Sequence, residues 1–241
     1  ALYRDLMNYA RENRIPVIGL NADKDLVKTV GRSPLAEMTE EDRRRLPEMN
    51  LTDPYHTAMV KAIYGGHAAG DNHLAGFQRV QTLWDETMAE GIADHLLGCL
   101  DGTRRMVVLA GGNHVRYGFG IPRRVFRRLP TSYLLVGSHE VEIPESKKSQ
   151  QMDVTMPRFP MPQYDYLVYT AYEDLPGERV KLGVRMETED GKVAVKDVVP
   201  GSTAEKAGVQ AGDVILALDG EPVADNFDLI SEQTLDRLVC H

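Results

Sequence analysis

Apolar residues Leu2, Leu6, Tyr9 and Ala10 recur at helical spacing, and the polar "RENR" then gives way to the apolar run "IPVIGLNAD". That order predicts a helix, a strand and a loop. "DKDLVKTV" reads as a second helix opened by Asp23, and "MTEEDRRRLPE" as a third capped by Thr39, with acids in its first turn. A long helix is expected from about Asp71 to Leu100. "RMVVLAGG" reads as a buried strand, "IPRRVFRRL" as a helix with Pro122 in its first turn, and "SYLLVGS" as another strand. A long loop over Ile143 to Gln163 precedes a further strand, "YDYLVYTAY".

This alternation over residues 1–172 predicts an α/β fold, a mainly parallel sheet flanked by helices. The pattern changes around "EDLPGERV". The segments become short, and "LGVRMETEDGKVAVKDVVPGS" reads as strands joined by an Asp190-Gly191 turn. A boundary falls near residues 173–180, giving an α/β domain over 1–175 and a small, mostly β domain over 179–241.

Composition narrows the function classes. In 241 residues, 42% hydrophobic and 27% charged, a formal net charge of −8 argues against broad nucleic-acid binding. Cys99 and Cys240 are too few for a disulfide framework or a cysteine metal cluster. The sequence has no apolar run of about 18 residues and so no candidate membrane span. Its start within a helix, without Met or signal peptide, leads us to expect an internal fragment.

Candidate chemistry gathers at two places. On the long helix, Phe77, Trp84, Met88 and Ile92 form one stripe, with Gln81 inside it and Asp85 on its edge. An amide and a carboxylate beside a core face need partners, either a nearby turn or cap or the groups of a site. The other place is "LAGGNHVRYGFGIPRRV". His114 is expected just beyond the C-terminal end of a strand, where open α/β sheets place ligands. Gly111 and Gly112 let the chain turn and a ligand approach. No Gly-Lys-Ser/Thr follows, and no helix is expected directly after "GGNHVRYG", so this is no phosphate loop.

His114 forms no HExxH or HxxxE pattern with His56, His67, His73, His95, His139 or His241. Loop residues His67 and His73 are candidate ligands or solvated side chains. Arg123, Arg124, Arg127 and Arg128 are read as a solvated helix face or as forks for the carboxylates of a bound ligand, and Arg116, beside the glycines, as the better anion contact.

"KVAVKDVVPGSTAEKAGVQAGDVILALDGEPVADNFDLI" resembles a bacterial PDZ domain, with "KLGVRM" in the place of its carboxylate-binding loop. The resemblance implies that Leu182, Gly183 and Val184 offer amides to a partner's C-terminal carboxylate, and that Arg185 to Thr188 continue as the groove strand. Phe227 and Ile230 would shape the pocket. The last strand of that family has no counterpart in "SEQTLDRLVCH".

"IPVIGLNAD", "QTLWDETMAEGIADHL", "VVLAGGNHVRYGFGIPRRV" and "YDYLVYT" together resemble the ChaN-like haem-binding lipoproteins of bacteria, relatives of the erythromycin esterases and Tiki metalloproteases. The Q-x-x-x-D-x-x-M-A helix and the G-x-x-H loop carry the likeness. Members begin with a Gly-Glu-x-His-Asp type strand and a later Glu, which this chain is expected to follow.

The resemblance implies a haem-binding protein of iron uptake at the periplasmic face of the cell envelope, lipid-anchored at full length. It implies haem and a C-terminal peptide as partners, with a homodimer left open. Candidate haem contacts are His114, Arg116, Tyr117, Tyr64, Gly111, Gly112, Gln81 and Asp85, and His114 is also the candidate ligand for a divalent metal. A metal-dependent hydrolase and a non-catalytic PDZ scaffold are the alternatives.

Overall fold

The computed structural model describes residues 3–65, 74–98, 104–145, 154–172, 183–189, 192–218 and 221–223. The boundary expected at 173–180 lies outside them, as do Leu182, Phe227, Ile230, both cysteines, His67, His73 and His241. Val17–Glu173 forms one compact unit, and Ala1–Pro16 with Asp174–His241 a second.

The helices are α1 (Arg4–Glu12), α2 (Lys24–Arg32), α3 (Glu40–Arg44), α4 (Pro54–Gly65), α5 (Leu74–Leu97), α6 (Gly112–Val115) and α7 (Ile121–Arg128). All but α1 belong to the first unit. The expected caps are in place: the Asp23 carboxylate accepts from the amides of Asp25 and Leu26 at the start of α2, and the Thr39 hydroxyl from Asp42 at the start of α3. Pro122 sits in the first turn of α7, where a missing N–H costs nothing. The turn of α6 begins on the glycines themselves, closer than the irregular loop expected there.

Helix α5 is the axis of this unit, buried on several sides at once. Its Val80 and Leu83 pack against Leu26, Val27 and Val30 of α2. One to two turns later, Met88, Ala89 and Ile92 pack against Ile121 and Val125 of α7. Met59 and Ile63 of α4 form a third cluster with Phe119 and, at its margin, Phe77. Each fully buried aliphatic or aromatic side chain contributes about 1.5–3 kcal/mol of transfer free energy. Helices α2 and α5 approach closely because both carry glycine: a Cβ at Gly76 would lie 2.3 Å from the Gly31 carbonyl oxygen. Arg79 then donates to the carbonyls of Val30 and Gly31, satisfying acceptors that the end of α2 leaves open.

The sheet is smaller than expected. Strands β1 (Val136–Val141) and β2 (Tyr166–Ala171) pair in parallel, from Val136 opposite Tyr166 to Val141 opposite Ala171. Among the described residues that pair is the whole of the first unit's sheet. "IPVIGLNAD" and "RMVVLAGG", expected as strands, have no ladder partner there. The second still keeps the alternation of an extended chain. Met106, Val108 and Ala110 pack under α5 and α7, while Val107 and Leu109 face outward. Apolar alternation selects an extended backbone but does not by itself provide the neighbouring strand that makes a sheet.

In the second unit β3 (Val184–Glu189) pairs antiparallel with β4 (Lys192–Val198), with a bulge between Arg185 and Met186. Glu189 stands opposite Lys192, the register expected of a hairpin. Strand β5 (Val214–Ile215) adds to the other edge of β4, the short helix α8 (Thr203–Lys206) is capped by Ser202, and β6 (Ala217–Leu218) pairs with β7 (Glu221–Pro222). Val193 and Val223 centre its core, with Met186 and Ile215 packed against them.

Candidate functional site

Asp85, almost fully buried in the middle of α5, holds two histidines from different parts of the chain. Its Oδ2 lies 2.8 Å from Nε2 of His56 on α4, and its Oδ1 lies 2.7 Å from Nδ1 of His114 on α6. Burial alone pushes the Asp85 carboxyl upward. The hydrogen bonds that His114 and His56 direct at it outweigh that and hold it below the usual carboxylate value. Asp85 is therefore ionised at neutral pH and can only accept, so both ring nitrogens facing it donate.

The proton placement follows from the remaining contacts. Nδ1 of His56 faces the Arg124 guanidinium at 3.4 Å, and a guanidinium has only donors. That nitrogen faces a donor, while Nε2 carries the proton that faces Asp85. For His114 the bond at Nδ1 leaves Nε2 with no protein partner among the described residues. His56 is buried, whereas the His114 side chain is 19% exposed. Trp84 fixes the His114 ring from the side, edge-on at 6.0 Å. A carboxylate that orients an imidazole through one nitrogen and raises the basicity of the other is the arrangement found behind histidine ligands to metals.

The backbone around His114 depends on a glycine not singled out in the sequence. A Cβ at Gly120 would lie 2.2 Å from the His114 carbonyl oxygen and 3.0 Å from Asp85 Oδ2. Only glycine lets the chain enter α7 while pressed against the histidine loop.

A second network adjoins the first. Glu86, the next residue of α5 and fully buried, receives three guanidinium groups: Arg124 Nε at 3.1 Å, Arg127 at 2.8 Å and Arg128 at 2.6 Å. The Asn50 amide also donates to it. Arg124 is itself buried and donates to the carbonyls of Phe119 and Gly120. The solvated face expected for these arginines is thereby corrected. Three of the four turn toward one buried carboxylate, and Arg123 pairs with Asp53 at 2.6 Å.

The other candidates sit as follows. Gly111 and Gly112 lie beside His114 and Arg116, and a Cβ at Gly112 would touch the Tyr164 hydroxyl at 3.3 Å. Arg116 donates to that hydroxyl at 3.4 Å and has no acidic partner among the described residues. Gln81, one turn before Asp85, is nine-tenths buried without a hydrogen-bond partner among the described residues. Tyr117 takes a positive φ of 58° and stacks on Phe119, and its hydroxyl accepts from Gln163. Tyr64 packs against Phe77 at 5.3 Å.

In the second unit Gly183 has a φ of 79°, and a Cβ there would lie 2.2 Å from Cβ of Ser202. Val184 starts β3 opposite Val198, and Arg185 pairs with Asp197 across the strands.

Sequence comparison adds the decisive observation. A family model described as "Haem-binding uptake, Tiki superfamily, ChaN" matches residues 1–125, just over half of the chain. The chain belongs to that family. A PDZ domain follows over residues 180–235. Comparison with curated proteins and with solved structures returned no match.

For a ChaN-family chain the groups at His114 are of the kind that fits haem: an oriented imidazole whose Nε2 has no partner among the described residues, and a guanidinium, Arg116, with no acidic partner among them. Among the described residues no group of three or more His, Cys, Asp or Glu side chains is disposed to hold a metal ion. His56, Glu86 and Gly120 are the parts that the sequence reading passed over.

Proposed function

We propose that this chain binds haem in bacterial iron uptake, with Nε2 of His114 as its axial contact. The observation that carries the reading is that nitrogen, left open while Asp85 pins the other. When bound, haem would supply an iron centre able to take a nitrogen ligand, and His114 would hold it through Nε2. Asp85 holds Nδ1 of His114 and so turns Nε2 away from itself, and His56 holds Asp85 from behind. Arg116 would hold a propionate, and Gln81 would offer its amide.

The setting we propose is the periplasmic face of the cell envelope, with a lipid anchor on the full-length protein. The PDZ domain would take the C-terminal peptide of a partner. Gly183 supports this reading: its φ turns the chain where the carboxylate-binding loop meets β3.

Titration of hemin into the protein tests the proposal. A shifted Soret band that saturates at one haem per chain, and that is lost in His114→Ala, is the expected result. An unshifted Soret band, or one that His114→Ala leaves in place, overturns the assignment.

A further inference from the structure

Asn50, Asp53, Arg123, Arg124, Phe126 and Arg127 line a cavity of about 260 Å³ that the haem reading does not use. We propose that it is a second ligand site, specific for a small organic anion that carries a carboxylate or phosphate group and an apolar portion.

Charge is the first ground. Three guanidinium groups line it, those of Arg123, Arg124 and Arg127. Among the described residues the buried carboxylates that face them are Asp53 and Glu86. Glu48 approaches Arg127 only at 3.6 Å and is largely solvent-exposed, where an ion pair contributes little. The lining is cationic in a protein whose formal net charge is −8.

The hydrogen-bond inventory gives the second ground. Acceptors at the cavity are occupied. Asp53 Oδ1 takes the amides of Tyr55 and His56, its Oδ2 takes Arg123, and Asn50 Oδ1 takes the amide and hydroxyl of Thr52. Donors remain. Arg123 uses only Nη1, leaving Nε and Nη2, Arg127 leaves Nη1, and Asn50 leaves its side-chain NH2, all without partners among the described residues. A cavity offering donors and no acceptors selects an oxyanion, and a planar guanidinium edge matches two of its oxygens at once.

Shape supplies the third. Arg123 is held with its guanidinium over the rings of Phe119 and Tyr55, at 4.9 Å and 5.6 Å, so its free edge is already oriented. Phe126, half exposed, provides one apolar wall. The volume falls below the usual range for drug-sized ligands of about 300–1,000 Å³, so the ligand is small.

The test is titration of the whole chain with inorganic phosphate, phenyl phosphate and benzoate, followed by calorimetry and by the Nε–H resonance of Arg123, against chloride at equal ionic strength. Saturable binding is expected, with phenyl phosphate tighter than phosphate. Arg123→Gln should weaken every binding probe about tenfold or more. Phe126→Ala should weaken only the aromatic probes, and His114→Ala should change none, which separates this site from the haem contact. Trp84 fluorescence verifies that each variant is folded. The proposal is overturned if no probe binds beyond the chloride control, or if Arg123→Gln leaves binding intact. Tight binding of benzoate alone assigns the site to carboxylates, and of phenyl phosphate alone to phosphate esters.

Discussion

Removing the Glu86 carboxylate should destabilise the first unit more than any other single change to its polar network. In Glu86→Ala, Oε1 no longer accepts from the Asn50 amide or pairs with Arg124 Nε, and Oε2 no longer accepts from Arg127 and Arg128. The three cations do not suffer equally. Arg127 and Arg128 are 31% and 13% exposed and can turn toward water, whereas Arg124 is 2% exposed and keeps only two carbonyls, a distant third and His56. A buried charge left without its partner costs about 3–5 kcal/mol. With a urea slope of about 2 kcal/mol/M, a loss near 4 kcal/mol lowers the midpoint by about 2 M. Trp84 is the only tryptophan and lies on α5, so its fluorescence follows this unit without interference from the PDZ domain. Arg128→Gln, which removes one of three cations and leaves the carboxylate paired, should cost about 1 kcal/mol or less. Replacing Glu86 and Arg124 together with methionine should recover much of the loss. Equal midpoints for Glu86→Ala and Arg128→Gln would refute the claim that burial of Arg124 sets the cost.

Two further outcomes follow from the histidine side. Gly120→Ala forces a Cβ against the backbone of His114; overpacking of this kind costs about 1–3 kcal/mol, seen in the same Trp84 transition, and should also weaken hemin binding. The folded Asp85 carboxyl is lowered, so its contribution is complete above its unfolded value near pH 3.9 and is lost as pH falls through the lower folded value. Unfolding measured from about pH 6 down to pH 2 should therefore show a part of the acid destabilisation that Asp85→Asn abolishes; identical slopes in the two proteins would refute it.

Local signals were legible in the sequence, and long-range ones were not. Asp23, Thr39 and Pro122 announce helix starts because a cap works within three residues of itself. Asp85 could be read as a carboxylate in need of partners, and His114 as a site residue, but not as partners of each other. His56 gave no signal, because its contact with Asp85 spans 29 residues and no local motif encodes it. The arginines of α7 misled for a related reason. A run of like charges on a short helix implies solvent unless an opposite charge lies buried beneath, and Glu86 is 38 residues away from Arg124. The parallel pairing of β1 with β2 agrees with the expected fold class, while the other apolar runs show that alternation specifies an extended chain more readily than its neighbours.

Asp85 and Glu86 are consecutive, yet one serves the histidines and the other the arginines. A helix turns about 100° per residue, so these neighbours point into different parts of the unit. The consequence is an evolutionary constraint on α5. Inserting or deleting a single residue between Leu74 and Trp84 would swing both carboxylates out of register at once, stranding Arg124 and releasing His114 together. Substitutions along this helix can be absorbed one at a time, whereas a change in its length cannot, and lineages of this chain should vary in length before Leu74 or after Leu97 while keeping the spacing within the helix unchanged.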